Sequence, residues 1–284
     1  MFSSVVSLLL LAASLPGQTP VDHKKLIARL GAEADAFERT AYRIAGLEKL
    51  TQIVPDGVRI GRNLVGVEAK LPGYTREIVS EYGFVSVDEP GGSLREVRRV
   101  LTVDGLRWAK ESKSLKSLAR EMTVNDDKGR RRTLERFEEF GLNGLVTDLG
   151  QLILLFARGG ALHYEIRFEK REEDGTLAFT YQQLDGKEAI TVYGETDEPV
   201  RQKLHGRIWA QQTTFLPIRI SIESVREYDG VPIRDVSTVE YQPSSLGTLL
   251  PAHIVHQQHV ANLLVVTDDF TYSGFRQVLS GGRR

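Results

Sequence analysis

Ile218-Arg219-Ile220-Ser221-Ile222-Glu223 alternates apolar and polar residues without a break. Successive side chains on a strand point to opposite faces, so this pattern builds a strand with one buried and one wet face. Half-solvated strands belong to antiparallel sheets, because parallel sheets are buried on both faces. The surrounding sequence repeats the theme. Leu162–Lys170, Leu177–Leu184, Ala189–Tyr193, Gly206–Gln211, Ile218–Glu227, Arg234–Gln242, Ala252–Val260 and Leu264–Phe275 read as strands. Asp174-Gly175, Asp185-Gly186 and Asp229-Gly230 read as hairpin turns between them. The links are short and strands do not alternate with helices, which again requires antiparallel pairing.

Upstream the period changes twice. From Asp22, a capping residue, Leu26, Ile27, Leu30, Ala34, Phe37, Ala41 and Ile44 recur at steps of three and four, and Gly46 suits the end of that helix. Leu47–Val54 reads as a strand closed by Pro55-Asp56-Gly57, and Val58–Gly73 as glycine-rich and irregular. Tyr74–Val87 and Leu94–Val103 read as long strands, linked by Glu89-Pro90-Gly91-Gly92 and followed by the turn Asp104-Gly105. Ser114–Met122, Thr133–Phe140 and Leu142–Phe156 read as helices, with Asn125–Arg132 as a solvated loop.

The fold class is therefore α+β. A sheet of about ten strands cannot stay flat, and curls toward an incomplete barrel or splits into layers. A leading helix and a helical insertion at about 112–158 lid the open side, within one domain spanning 18–284. A curled sheet with a lid encloses an apolar pocket by geometry.

The N-terminus carries a separate message. Met1-Phe2-Ser3-Ser4 leads into the apolar run Val5–Ala13, followed by Ser14, Pro16 and Gly17. That run is shorter than the roughly 20 residues of a spanning helix, and small residues follow it, as in a cleavable signal peptide over 1–17. No later segment has the length of a membrane span. The expected location is the periplasm or the exterior. The chain has no cysteine, which removes disulfides, thiol catalysis, thiolate metal sites and lipidation at a cleavage-site cysteine. A mature chain of this length buries roughly 70–75% of its unfolded surface and needs no such staples. The formal charge is −1 with both signs mixed, which gives no long-range field for nucleic acid or an anionic membrane.

Three quoted segments carry a resemblance: Leu204-His205-Gly206-Arg207-Ile208-Trp209-Ala210, then Thr213-Thr214-Phe215-Leu216-Pro217-Ile218-Arg219-Ile220, and the closing Phe270-Thr271-Tyr272-Ser273-Gly274-Phe275-Arg276. From roughly Leu162 to the end, the chain resembles exported bacterial proteins of the lipoprotein-carrier half-barrel superfamily (the LolA, LolB and LppX type). The resemblance implies an incomplete antiparallel barrel with helices over its mouth, holding lipid or lipoprotein acyl chains or sensing an envelope protein. Val58–Gly73 and Lys110–Arg136 depart from that pattern. Trp209, Ile218, Ile220, Ile222, Phe270 and Tyr272 are the expected ligand-lining residues.

Catalytic signatures are not evident. His253, His256 and His259 fall at steps of three, but Pro251 and the β-rich context place them on a strand, where that spacing alternates faces, so exposed strand histidines are expected rather than a metal site. Glu165, Glu169, Glu172, Glu173, Asp268 and Asp269 read as solvated faces or turns. Lys128–Arg132 is basic but flanked by acids and lacks interleaved aromatics. No nucleophile elbow, phosphate loop, zinc helix or calcium loop occurs. The expectation is a non-enzymatic carrier without cofactor; the alternatives are an envelope-protein interaction module and a hydrolase assembled from distant strands.

Overall fold

The computed structural model describes residues 21–61, 64–67, 72–86, 94–108, 137–142, 145–184, 190–193, 199–228 and 230–278. The expected signal segment 1–17, Ser114–Met122, Asn125–Arg132 and the turns at 89–92 and 185–186 lie outside them.

Helix α1 (His23–Thr40) starts where expected: Asp22 Oδ1 accepts from the backbone N–H of Lys24 and Lys25, which supplies orphan donors of the first turn with a partner. The helix ends earlier than its apolar stripe suggests. A short 3₁₀ turn, Ala41–Arg43, delivers the chain to strand β1 (Ile44–Val54), so Gly46 lies in a strand. There a Cβ would meet Phe275 Cδ1 at 2.7 Å and the Ser273 carbonyl at 2.9 Å.

The remaining strands are β2 (Val58–Gly61), β3 (Leu64–Val67), β4 (Tyr74–Ser86), β5 (Leu94–Val103), β6 (Leu106–Arg107), β7 (Tyr164–Arg171) and β8 (Leu177–Gln183). They continue as β9 (Ile190–Tyr193), β10 (Pro199–Gln202), β11 (His205–Ala210), β12 (Pro217–Tyr228), β13 (Val231–Pro243), β14 (Leu249–Val260) and β15 (Leu263–Gln277). Eleven of them form one curled, unclosed antiparallel sheet in the order β6-β5-β4-β1-β15-β14-β13-β12-β11-β8-β7. The count differs from ten through short strands that carry weak sequence signals. One of these is β6, formed by the turn at Asp104 and Gly105, which both take positive φ and so match the twist of the flanking strands. Val58–Gly73 is not wholly irregular: β2 and β3 pair as a separate ribbon, as do β9 and β10.

Helix α1 lies across one face of the sheet, called inner below. His23 meets Phe179 of β8 edge-on and Phe37 meets Phe84 of β4, so the helix crosses from one flank to the other. Leu26, Leu30, Ala34 and Phe37 are fully buried there, in one core with Leu50, Ile78, Tyr82, Ile220, Val239, Ile254 and Phe270 from the sheet.

The stretch expected as a helix over Leu142–Phe156 is not one. Residues 145–151 are irregular, and 152–163 form 3₁₀ turns with a kink at Ala157–Gly159. Its Leu and Phe side chains still face the core, so the apolar spacing was right and the backbone inferred from it was wrong. Of Thr133–Phe140, the described residues show one helical turn at Phe137–Glu139.

Candidate functional site

On β1 the inner face carries Glu48, Leu50, Gln52 and Val54 at alternate positions. Two of these four are polar and nearly unexposed, and each anchors a buried polar layer across the sheet.

In the first layer Arg98 of β5 holds Glu48 through two bonds, Nε to Oε1 at 2.6 Å and Nη2 to Oε2 at 2.7 Å. The same Nη2 donates to Glu96 Oε2 at 2.7 Å. Glu96 also accepts from the Tyr82 hydroxyl (2.8 Å) and from the backbone N–H of Asp148 (2.9 Å) and Gly150 (2.6 Å). The Asp148 carboxylate returns a bond from the Glu96 N–H at 3.0 Å. Burial pushes Glu96 upward, the Arg98 charge opposes this, and Asp148 and Glu48 add to the rise. Burial likewise pushes the Tyr82 and Tyr272 hydroxyls well up. Arg98 also lies over the rings of Tyr82 and Phe270, 5.2 and 5.9 Å from their centres.

This layer fastens residues 145–163 to the sheet. Beside it, the Tyr241 hydroxyl of β13 accepts from the Ile153 N–H at 2.9 Å and donates to the Gly150 carbonyl at 3.3 Å. On the far side Asp35 accepts from the Arg158 N–H, and Glu38 pairs with the Arg158 guanidinium, so this segment and α1 form one cover. The irregular backbone follows directly: donors that a helix would satisfy internally are satisfied by Glu96 and Tyr241.

The second layer crosses β1, β15, β14, β13 and β12. Gln52 Nε2 donates to Asp268 Oδ1 at 2.7 Å, and Tyr74 of β4 donates to Gln52 Oε1 at 2.7 Å. His256 Nδ1 lies 2.9 Å from Asp268 Oδ2, and its Nε2 lies 3.4 Å from Asp235 Oδ1. Asp235 also accepts from Gln258 at 2.8 Å and pairs with Arg226. Burial disfavours a charged imidazole, but the two carboxylates win and raise His256 to about 9. Burial pushes Asp235 up, yet His256 and Arg226 bring it below its ordinary value. With an acceptor at each ring nitrogen, the imidazolium donates to both and keeps no lone pair for general-base work. The arrangement holds a proton and straps neighbouring strands together.

Two expectations are corrected here. His256 is not an exposed strand histidine but fully buried, and Asp268 is fully buried rather than solvated. His253 does face outward, 3.2 Å from both Asp269 oxygens. Among the described residues, no group of three or more histidine or carboxylate side chains is arranged to hold a metal ion.

Of the expected lining residues, Ile220, Ile222, Phe270 and Tyr272 are buried on the inner face, and Ile218 is half-buried at its end. Trp209 stands apart from them. It pairs with Arg219 on the outer face, under that guanidinium and 3.4 Å from Glu172, because Ile208 and Ala210 take the inner positions. Sequence reasoning missed Glu48, Gln52, Glu96, Arg98, Asp235 and His256. Parity could have found three of them: Ile254, His256 and Gln258 share a face, and Glu96 and Arg98 are opposite charges two residues apart on a strand.

In comparison with known proteins, no family model, no curated protein and no solved structure matches the chain.

Proposed function

We propose that the protein is an extracytoplasmic carrier that shelters an apolar chain, of a lipid or a lipoprotein, between the inner wall of the sheet and its cover. The observation that carries this reading is how the cover is attached. It meets an apolar wall through Leu26, Leu30, Phe37, Ile153 and Phe156, yet its 145–163 part is fastened by a few polar pins from Glu96 and Tyr241. An apolar chain replacing those side chains against Leu50, Ile254 and Phe270 keeps the wall dry and gains about 0.8 kcal/mol per buried methylene. Opening is then a movement of the cover with the sheet unchanged. The resemblance to half-barrel lipoprotein carriers and the leader-like N-terminus support the same reading, as does a chain in which no described helix is long and apolar enough to cross a membrane.

One observation favours a second reading. The described inner wall is filled by the chain's own side chains, as expected of an interaction module that binds an envelope protein without lipid. Native purification from a bacterial periplasm followed by lipid mass spectrometry separates the two. A stoichiometric co-purifying lipid supports the carrier and names its cargo class; an empty protein that also fails to take up added lipid favours the module.

A further inference from the structure

We propose that the free edge of β7 docks a second copy of this chain: Tyr164-Glu165-Ile166-Arg167-Phe168 pairs antiparallel with itself about a two-fold axis through Ile166. This surface is separate from the inner wall proposed for cargo, and the pairing holds whether or not lipid binds.

β7 is the end strand of the sheet and pairs with β8 on one side; among the described residues no strand lies on its other side. The ladder tells which backbone groups face that open side. The Leu184 N–H donates to the His163 carbonyl at 2.9 Å, so 163 and 184 are a hydrogen-bonded pair, and by alternation so are 165 with 182 and 167 with 180. The N–H and C=O of Tyr164, Ile166 and Phe168 therefore point away from β8. An edge of this kind is a template for another strand.

The residues of the edge select which strand. Counted outward from Ile166, each position meets its complement: Tyr164 lies opposite the partner's Phe168, Glu165 opposite the partner's Arg167, and Ile166 opposite the partner's Ile166. Glu165 and Arg167 are exposed on the outer face, 2.6 Å apart within the strand, and across the axis each gains the opposite charge of the other copy. Opposite charges and aromatic side chains set directly across an antiparallel pair stabilise it. Tyr164 and Phe168 rest edge-on against Phe156, Tyr181 and Phe179, and with Ile166 remain half-exposed, which leaves surface for the second copy to cover.

The register is specified too. Centring the axis on Glu165 or Arg167 instead sets a like-charged pair on the axis itself. Centring it on Phe168 runs the pairing across the bulge between Phe168 and Lys170. The axis stands perpendicular to the sheet, so both inner faces lie on the same side and the contact is closed and isologous.

Sedimentation equilibrium of the full-length protein from about 1 to 300 µM tests the pairing. One short strand pair buries less than a stable interface does, so the expected dissociation constant is roughly 10–100 µM. Glu165→Arg and Arg167→Glu should each weaken self-association at least about 10-fold, because both cross-axis pairs become like-charged. Both side chains are exposed, so neither change touches the core. Mixed in equal amounts, the two variants should form a heterodimer of the original strength, since every cross-axis pair is then opposite. A chain that stays monomeric throughout the range overturns the inference. So does a dimer that either single substitution leaves intact, or a mixture of the two variants that stays monomeric.

Discussion

His256 is charged in the folded protein because of what faces each ring nitrogen: Asp268 at Nδ1 and Asp235 at Nε2, the latter also held by Arg226 and Gln258. Its folded value near 9 lies above the roughly 6.5 of an unfolded histidine. The stabilisation is therefore fully present below about pH 6.5 and is lost as pH rises through 9. Histidine NMR should show one imidazole titrating near 9, and His256→Gln should destabilise strongly at pH 6 and much less at pH 10. An imidazole titrating at its ordinary value would contradict the bonding described. Asp235 works in the other direction: its depressed folded value contributes stability that disappears as pH falls below the ordinary carboxylate range. Arg98 lies between Glu48 and Glu96 with 3% of its side chain exposed. Arg98→Met fills much of the space but leaves two buried carboxylates without their cation. A loss of about 3–5 kcal/mol is expected in urea unfolding, and a loss under 1 kcal/mol would mean that water reaches the layer.

At the scale of elements, the sheet was far more legible than the cover. Leu94–Val103 was bounded correctly from sequence and most other strands within a few residues, because Asp-Gly pairs punctuate alternating runs. The β14–β15 turn is Ala261-Asn262, both at positive φ, and carries only a weak turn signal in its residue types. Segment 142–156 misled for a physical reason. Spacing of three and four reports which side chains share a face, not how the backbone donors are satisfied, and here Glu96 and Tyr241 take over from helical carbonyls. The candidate site was poorly legible because its residues are charged, and a charged residue on a strand reads as solvent-facing unless its partner from a distant strand is known. Gly150 offers a test of the cover's fastening: a Cβ there would lie 2.5 Å from the Tyr82 hydroxyl and 2.8 Å from Glu96 Oε1. Gly150→Ala should therefore free residues 145–163 while the sheet stays intact. Hydrogen exchange should rise at Asp148, Gly150 and Ile153 and stay unchanged in β13 and β14; protection that stays unchanged at all three would show that the pins do not hold the segment.

For the molecule as a whole, the decisive feature is the position of its last strand. β15 lies inside the sheet, with β1, β4, β5 and β6 on one flank and β14, β13, β12, β11, β8 and β7 on the other. Within the sheet the two flanks are joined through β15, and the cover helix straddles that junction from Phe179 to Phe84. β15 also brings Asp268 to the second polar layer, Tyr272 to the first, and Phe270 to the apolar row between them. A chain ending at Asn262 thus loses an interior strand, exposes two long strand edges that invite aggregation, and leaves His256 without one of its carboxylates. It should show no cooperative unfolding transition and should aggregate when produced at normal yield. An interior loss is distinguished from a generic surface effect by the rim: Leu106→Ser on edge strand β6, where the side chain is 76% exposed, should shift stability by no more than about 0.5 kcal/mol. If the truncated chain instead melts cooperatively near the full-length midpoint, the two flanks fold independently, and a ligand wall shared across β1, β15 and β14 could not be the working surface of this protein.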